Sequence, residues 1–145
     1  MTTNKKLDKL VEKLKNESLT LVIEHDGEVY TSTERGVKPL LLLIESCGTL
    51  GGAIAADKVV GKAAAFLYLK LEVSEIYADV ISTPALALLR ENGVKVSFGE
   101  EALAIRNRRG DGFCPMETAV MDISEVDAAL TAIRQTLARL SSGKN

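Results

Sequence analysis

The residues best suited to binding an anion stand together in the middle of the chain, where residues 57–65 read Asp-Lys-Val-Val-Gly-Lys-Ala-Ala-Ala. A short apolar run is followed by Gly61, which is free to adopt positive φ, and then by small residues typical of a helix. The first backbone N–H groups of a helix lack partners within it and attract anions. Together with the ammonium of Lys62, they predict a cradle for a phosphate or another anion.

The same residues also have plainer structural interpretations. Gly61 suits the start of any helix, and Lys62 suits a solvated surface. Asp57, at a strand end, could cap the helix, pair with Lys58 or Lys62, or act as a base. The sequence leaves these alternatives open.

A second set of reactive side chains occurs at residues 113–117, which read Phe-Cys-Pro-Met-Glu. Cys114 precedes a proline typical of a helix start, where the helix dipole favours a thiolate, so it is a candidate nucleophile. A buried or capping cysteine is the plainer alternative. Glu117 could reach backbone N–H groups as in a capping box, or face a cleft as an acid or base. The candidate catalytic residues are therefore Asp57, Cys114 and Glu117.

Basic residues near these segments complete the predicted anion site. Three arginines occur between residues 106 and 109, and their guanidinium groups suit phosphates, although a solvated loop is the plainer interpretation. The full set of candidate ligand-binding residues is Lys38, Asp57, Lys58, Gly61, Lys62, Arg106, Arg108 and Arg109.

The first third of the chain predicts a helix, a hairpin and a second helix. Leucines and a valine at helical spacing between residues 7 and 14 predict an amphipathic helix that lies across the rest of the domain. Asp26-Gly27 separates two β-rich runs, residues 18–24 and 28–33, and such a pair predicts an antiparallel hairpin. Residues 37–46 are apolar on all sides, as expected of a helix buried on a sheet.

After residue 52, strands and helices alternate. We expect strands at residues 53–57, 75–81 and 94–98, and helices at residues 61–71 and from Thr83-Pro84 to Asn92. Residues 115–140 predict a short helical turn and a last amphipathic helix. Such alternation indicates parallel strands, whose carboxyl ends meet at one edge of the sheet and bind ligands there. That edge would gather the candidate site residues and leave His25 and Cys47 at the opposite edge.

Length and composition fit one globular domain over residues 1–145. The net charge of −2 indicates no attraction to DNA or to a membrane surface, and the low aromatic content disfavours a platform for single-stranded nucleic acid. No apolar stretch resembles a signal peptide or a membrane span, and the two cysteines lie far apart. We therefore expect a cytoplasmic protein with reduced thiols.

The order of elements, with Ala-Asp-Lys-Val-Val-Gly-Lys-Ala-Ala-Ala at residues 56–65 and Phe-Cys-Pro-Met-Glu at residues 113–117, resembles an uncharacterised prokaryotic domain family. Its members are assigned to the cytidine-deaminase-like fold. The resemblance covers nearly the whole chain and implies a three-layer α/β/α domain. Its five-stranded mixed sheet would have the order 2-1-3-4-5, with strand 1 antiparallel to its neighbours. The family implies no established activity.

True deaminases hold zinc through a His or Cys before the second helix and through Pro-Cys-x-x-Cys before the third, and the zinc activates water. The corresponding helix starts here read Gly-Val-Lys-Pro at residues 36–39 and Val-Gly-Lys-Ala at residues 60–63, and neither supplies a ligand. A catalytic zinc needs about three protein ligands. We therefore expect no zinc-dependent deamination, no metal and no organic cofactor.

The function predicted from the sequence is the binding of a phosphorylated small molecule at the carboxyl edge of the sheet. A nucleotide or an ADP-ribose-like compound is the expected ligand class. Two alternatives stay open: a zinc-independent enzyme that uses Asp57, Lys62, Cys114 or Glu117, and a homo-oligomeric interaction domain, such as a homodimer, without a ligand. Whether the protein is an enzyme is left undecided.

Overall fold

The computed structural model describes residues 5–105 and 114–142. In chain order these residues form α1 (Lys5–Asn16), β1 (Leu21–His25), β2 (Glu28–Ser32), α2 (Lys38–Cys47), β3 (Ile54–Val60), α3 (Lys62–Leu71), β4 (Glu75–Ser82), α4 (Thr83–Glu91), β5 (Lys95–Ala102), α5 (Pro115–Val120) and α6 (Val126–Ser142).

The five strands form one mixed sheet in the order β2-β1-β3-β4-β5. β1 runs antiparallel to β2 and to β3, whereas β3, β4 and β5 are parallel to one another. The hairpin turns at Asp26 and Gly27, both of which adopt positive φ, as expected for an Asp-Gly turn. The predicted strand order and the predicted direction of strand 1 are confirmed.

One face of the sheet is covered by α1, as its apolar spacing predicts. Leu7, Leu10 and Leu14 are buried and pack against Val22 of β1 and Ala56 of β3. Burying each leucine contributes about 1.5–3 kcal/mol. The opposite face carries the larger core, which is built mainly from α2, α3, α4 and α6. We call these two sides of the sheet the α1 face and the α3 face.

α3 lies at the centre of the α3 face. Seven of its ten residues are buried, including Phe66 and Tyr68. A helix that is apolar on nearly every side is expected where helices and a sheet surround it. The predicted small-residue start of this helix serves that packing, because Ala63 and Ala65 are almost fully buried.

Two strands extend further than the sequence pattern predicts. β3 continues past Asp57 to Val60, and β5 continues past Phe98 to Ala102. Both extensions pair with the carboxyl-terminal half of β4. Pairing with a neighbouring strand therefore stabilises segments whose own sequence does not alternate clearly.

The start of α4 also differs in detail. Ser82, rather than Thr83, caps the helix: its buried hydroxyl accepts a hydrogen bond from the backbone N–H of Ala85 at 3.2 Å.

None of the helices within residues 5–105 and 114–142 has the length and the apolar character that crossing a membrane requires.

Candidate functional site

The start of α3, predicted as an anion cradle, holds an anion from the chain itself. The carboxylate of Glu117, in α5, accepts hydrogen bonds from the backbone N–H groups of Lys62 and Ala63 at 2.6 and 3.0 Å. These are two of the donors that a helix start leaves without partners inside the helix. Glu117 therefore caps a helix that begins 55 residues earlier in the chain.

Gly61 allows this contact by its lack of a side chain. A Cβ at position 61 would lie 2.5 Å from Cδ of Glu117, a distance that real Cβ atoms do not show. The backbone of Gly61 is extended, with φ −97° and ψ −178°, so the positive φ that the sequence suggested is not used. Gly61 is needed here because a carboxylate approaches the backbone closely.

Lys62 is directed toward α5 as well. Its ammonium donates a hydrogen bond to the backbone carbonyl of Met121 at 3.0 Å, and it lies 5.7 Å from the centroid of the Phe66 ring. The last carbonyl groups of a helix attract cations, so this contact complements the one made by Glu117. Both groups predicted to hold an external anion thus join α3 to α5.

Asp57 lies on the α3 face, partly buried beneath α3. The buried hydroxyl of Tyr68 donates a hydrogen bond to its Oδ2 at 2.5 Å, and the backbone N–H of Val59 donates to Oδ1 at 3.2 Å. Burial raises the pKa of Asp57 from 3.8 to about 7, against the opposing effect of these hydrogen bonds. A carboxyl group that titrates near neutral pH is suited to proton transfer.

The regular alternation of side chains slips near the carboxyl ends of β3 and β4. Ala78 and Ile81, three residues apart, both belong to the core on the α3 face. Asp57 contacts α3, and Val60, also three residues later, joins the same core. Strict alternation would send the members of each pair to opposite faces. The slip therefore turns the residues just before Val60 and Ile81 toward the α1 face.

The pairing between strands is interrupted at the same level. The paired register between β3 and β4 skips Lys58 and Asp79, and that between β4 and β5 skips Asp79 and Gly99. Local irregularities of this kind re-aim side chains and are frequent next to active sites. Three adjacent parallel strands thus share one irregular level near their carboxyl ends.

An open pocket of about 610 Å³ lies at this level on the α1 face. We call it the α1-face pocket. Its polar and backbone walls include Lys15, Lys58, Tyr77, Asp79, Gly99 and Glu100. Lys15 comes from the last turn of α1, and the other residues come from three adjacent strands. The pocket is thus formed where α1 ends above the irregular level of the sheet.

A polar cluster forms one wall of the α1-face pocket. The hydroxyl of Tyr77 donates a hydrogen bond to Asp79 at 2.8 Å, and the Lys15 ammonium lies 4.0 Å from the same carboxylate and 5.6 Å from the centroid of the Tyr77 ring. Desolvation and the Asp79 carboxylate raise the pKa of Tyr77 to about 12. A Cβ on Gly99 would lie 3.0 Å from the carbonyl oxygen of Asp79, so the backbones approach closely here.

Two charged groups of this pocket are left available for a ligand. Neither the Lys58 ammonium nor the Glu100 carboxylate makes a hydrogen bond or an ion pair with another side chain in the described part of the chain. Lys58 was predicted as a ligand-binding residue. Sequence reasoning did not single out Lys15, Tyr77 or Glu100: the first two looked like ordinary residues of a helix and a strand, and Glu100 lay beyond the predicted end of strand 5.

The remaining predicted site residues are more dispersed. Lys38 is exposed at the start of α2. Cys114 precedes α5 and packs against the core, and its carbonyl oxygen accepts a hydrogen bond from the Thr118 N–H at 3.1 Å. Three further predicted residues lie outside the described part of the chain: Arg106, Arg108 and Arg109.

His25 and Cys47, the remaining soft metal ligands, do not join these groups. The register places Glu24 opposite Ile54, so His25 lies near the amino end of β3, away from the pocket. Within residues 5–105 and 114–142, no three His, Cys, Asp or Glu side chains come close enough together to hold a metal ion.

Comparisons with known proteins give one extensive match. The family model "TM1506: Domain of unknown function (DUF1893)" matches residues 9–137. The crystal structure of the DUF1893 family protein TM1506 from Thermotoga maritima is similar to this chain with a TM-score of 0.84 and 29% identity, over 97% of this chain and 93% of that chain. The resemblance to an uncharacterised family, predicted from the sequence, is confirmed.

Weaker similarities are to deaminases. The apo dCMP deaminase of the cyanophage S-TIM5 gives a TM-score of 0.48 at 12% identity, over 69% of this chain and 99% of that chain. A structure from work on tRNA:A34 deaminases gives a TM-score of 0.44 at 12% identity, over 66% of this chain and 93% of that chain. No curated protein sequence matches the chain.

Proposed function

Since this chain belongs to the DUF1893 family of domains of unknown function, we propose from its own geometry that it binds a phosphorylated small molecule, of the nucleotide class, in the α1-face pocket. Lys58 would hold the phosphate, and Lys15 would support it from the end of α1. The observation that carries this proposal is that three adjacent strands, at the irregular level they share, place Lys58, Asp79 and Glu100 in one open pocket.

The position of the pocket supports this function. Ligands of open α/β sheets bind at the carboxyl ends of the parallel strands, and the pocket lies near the carboxyl ends of all three. Its volume of about 610 Å³ is within the usual range of about 300–1,000 Å³ for small-molecule sites. A nucleoside phosphate is of a size that such a pocket can take.

The charge of the pocket supports a phosphate near β3. The Lys58 ammonium has no acidic partner among the described residues. The Lys15 side chain is 57% exposed, and its ammonium lies 4.0 Å from Asp79. Lys15 therefore remains accessible beyond its contact with Asp79. Two accessible ammonium groups attract a dianionic phosphate more strongly than either would alone.

The predicted cradle at α3 is a poorer place for that phosphate. Glu117 already accepts hydrogen bonds from Lys62 and Ala63, so an external anion would have to displace a carboxylate. It would also meet the negative charge of Glu117 nearby, which is unfavourable. We therefore assign the phosphate to Lys58 and treat Lys62 as a residue that joins α3 to α5.

Thermal denaturation with a panel of nucleoside 5′-phosphates tests this assignment. At millimolar concentration, at least one compound should raise Tm by a few degrees, because a ligand that binds only the folded state stabilises it. Lys58→Ala should remove the shift, and Lys15→Ala should reduce it. Lys62→Ala should keep it, which makes Lys62 the matched control.

Two outcomes would contradict the proposal. If no compound stabilises the protein, the pocket does not bind this class of ligand. If Lys62→Ala removes the shift and Lys58→Ala keeps it, the phosphate is held at the start of α3 instead.

A further inference from the structure

Two consecutive glutamates of β5 point to opposite faces of the sheet. Glu101 accepts a hydrogen bond from the hydroxyl of Thr83 at 2.8 Å, at the start of α4 and therefore on the α3 face. Glu100 instead lines the α1-face pocket. The slip in alternation explains why Glu100 faces the pocket, although Phe98, two residues earlier, packs against the core on the α3 face.

Glu100 and Lys58 stand on the two outer strands of the three that form the pocket floor. Val59, Val80 and Glu100 are in register across these strands. Because neighbouring strands are about 4.8 Å apart, the backbone at Glu100 lies about 10 Å from the backbone beside Lys58. A lysine and a glutamate side chain can extend over the floor from its two sides and reach different parts of one small ligand.

The two groups require different chemistry from that ligand. A carboxylate only accepts hydrogen bonds and repels phosphate, so Glu100 needs a donor-bearing part of the ligand, whereas the Lys58 ammonium needs its anionic part. Vicinal sugar hydroxyls offer two donors side by side, which matches the two oxygens of one carboxylate. Dinucleotide-binding folds bind ribose hydroxyls with an acidic residue for the same reason.

Building on the proposed function, we infer that Glu100 binds the vicinal hydroxyls of a ribose while Lys58 binds the phosphate of the same ligand. The α1-face pocket then selects ribonucleotides over 2′-deoxyribonucleotides. Asp79 does not provide this selection, because the Tyr77 hydroxyl already donates to it and Lys15 stands beside it. Among the described residues that line the pocket, Glu100 is the carboxylate without a side-chain partner.

Isothermal titration calorimetry with adenosine 5′-monophosphate and its 2′-deoxy analogue tests the inference. The two compounds share the base and the phosphate, so the ratio of their Kd values measures the contribution of the 2′-hydroxyl to binding. Loss of one hydrogen bond to a charged group should weaken binding of the deoxy compound about tenfold. Glu100→Ala should bring this ratio close to one, and Glu101→Ala should leave it unchanged.

The variants separate failure of this inference from failure of the proposed function. If both compounds bind equally and Lys58→Ala abolishes their binding, the pocket holds a phosphate but Glu100 does not recognise ribose. If Glu100→Ala keeps the tenfold ratio of the two Kd values, another residue binds the 2′-hydroxyl and the inference is overturned. If Lys58→Ala leaves the binding of both compounds intact, the proposed function itself is wrong.

Discussion

Gly61 and Glu117 share one small volume at the start of α3, where a Cβ on Gly61 would lie 2.5 Å from Cδ of Glu117. The missing side chain lets the carboxylate reach two backbone N–H groups of α3. The Lys62 ammonium makes a second connection, to the carbonyl of Met121. α5 is therefore attached to the sheet-facing helix by charge-assisted hydrogen bonds at both of its ends.

Gly61→Ala is expected to destabilise the protein by about 2–4 kcal/mol. The added methyl group forces Glu117 away, so hydrogen bonds to a charged group, each contributing about 1.5–3 kcal/mol, are lost. Urea denaturation would measure the change. Gly51→Ala is the matched control, because a Cβ there would meet its nearest neighbour at 3.4 Å, which is ordinary contact. Equal effects of the two substitutions would contradict the steric argument.

Glu117→Ala should cost about 2–3 kcal/mol of unfolding free energy, and Glu117→Gln about half as much, because one amide oxygen can still accept a hydrogen bond. Glu125→Ala, at an exposed position near the start of α6, should change stability by less than about 0.5 kcal/mol. Chemical denaturation of the three variants checks this order.

A double-mutant cycle tests whether Gly61 and Glu117 act through one contact. Once Gly61→Ala has displaced the carboxylate, the further change Glu117→Ala should cost little, so the two effects should not add. Additive effects would show that Gly61 matters for a reason other than Glu117.

The sequence predicted a cradle for an external anion at the start of α3, where the structure places the carboxylate of Glu117. Local spacing reveals a helix start at Lys62, and its free N–H groups follow from helix geometry. Glu117 lies 55 residues later and reaches them only through the packing of α5, which no local pattern encodes. A capping box at its own helix was one of two alternatives for Glu117, and the structure places its carboxylate at the start of α3 instead.

The pocket was harder to predict, since it depends on an irregularity. The apolar run at residues 53–56 is enough to predict a strand, but the charged residues Asp57 and Lys58 end that run, so the strand was expected to end at Asp57. The strand order, in contrast, follows from the Asp26-Gly27 turn and from the alternation of strands and helices, and these signals are local. Lys58 was a candidate for its charge, and only the fold places it in the same pocket as Glu100.

Asp57 should make stability fall as the pH rises. Its pKa in the folded protein is about 7, above the unfolded value of 3.8, so the folded state holds the proton more tightly. Its contribution is therefore complete below about pH 4 and is lost as the pH rises through 7. One pKa unit corresponds to about 1.4 kcal/mol, which gives a loss of about 2–4 kcal/mol for this partly buried group.

Asp57→Asn removes the titration and should flatten this part of the profile. Urea denaturation between pH 4.5 and 8 would show the difference between the two proteins. Asp122→Asn, at an exposed position, is the control and should leave the slope unchanged. Parallel profiles of the native protein and Asp57→Asn would mean that Asp57 is not the titrating group.

Tyr68→Phe should raise the pKa of Asp57 further. The Tyr68 hydroxyl donates to Asp57 at 2.5 Å and so favours the ionised carboxylate, which opposes the effect of burial. Without this donor, only the backbone hydrogen bonds still favour the ionised carboxylate of Asp57. The pKa of Asp57 should therefore rise from about 7 by about 1. The 13C shift of the Asp57 carboxyl group, followed over a pH titration, would measure this directly.

The same substitution should destabilise the protein more at pH 8 than at pH 5. At pH 8 the native protein keeps an ionised Asp57 that Tyr68 stabilises, and the variant loses that support while the charge stays partly buried. At pH 5 the carboxyl is protonated in both proteins, so the lost bond is an ordinary neutral one and costs about 1 kcal/mol. Tyr30→Phe, on the edge strand β2, should show no such dependence. A pKa of Asp57 that falls in Tyr68→Phe would mean that the hydroxyl stabilises the protonated acid instead.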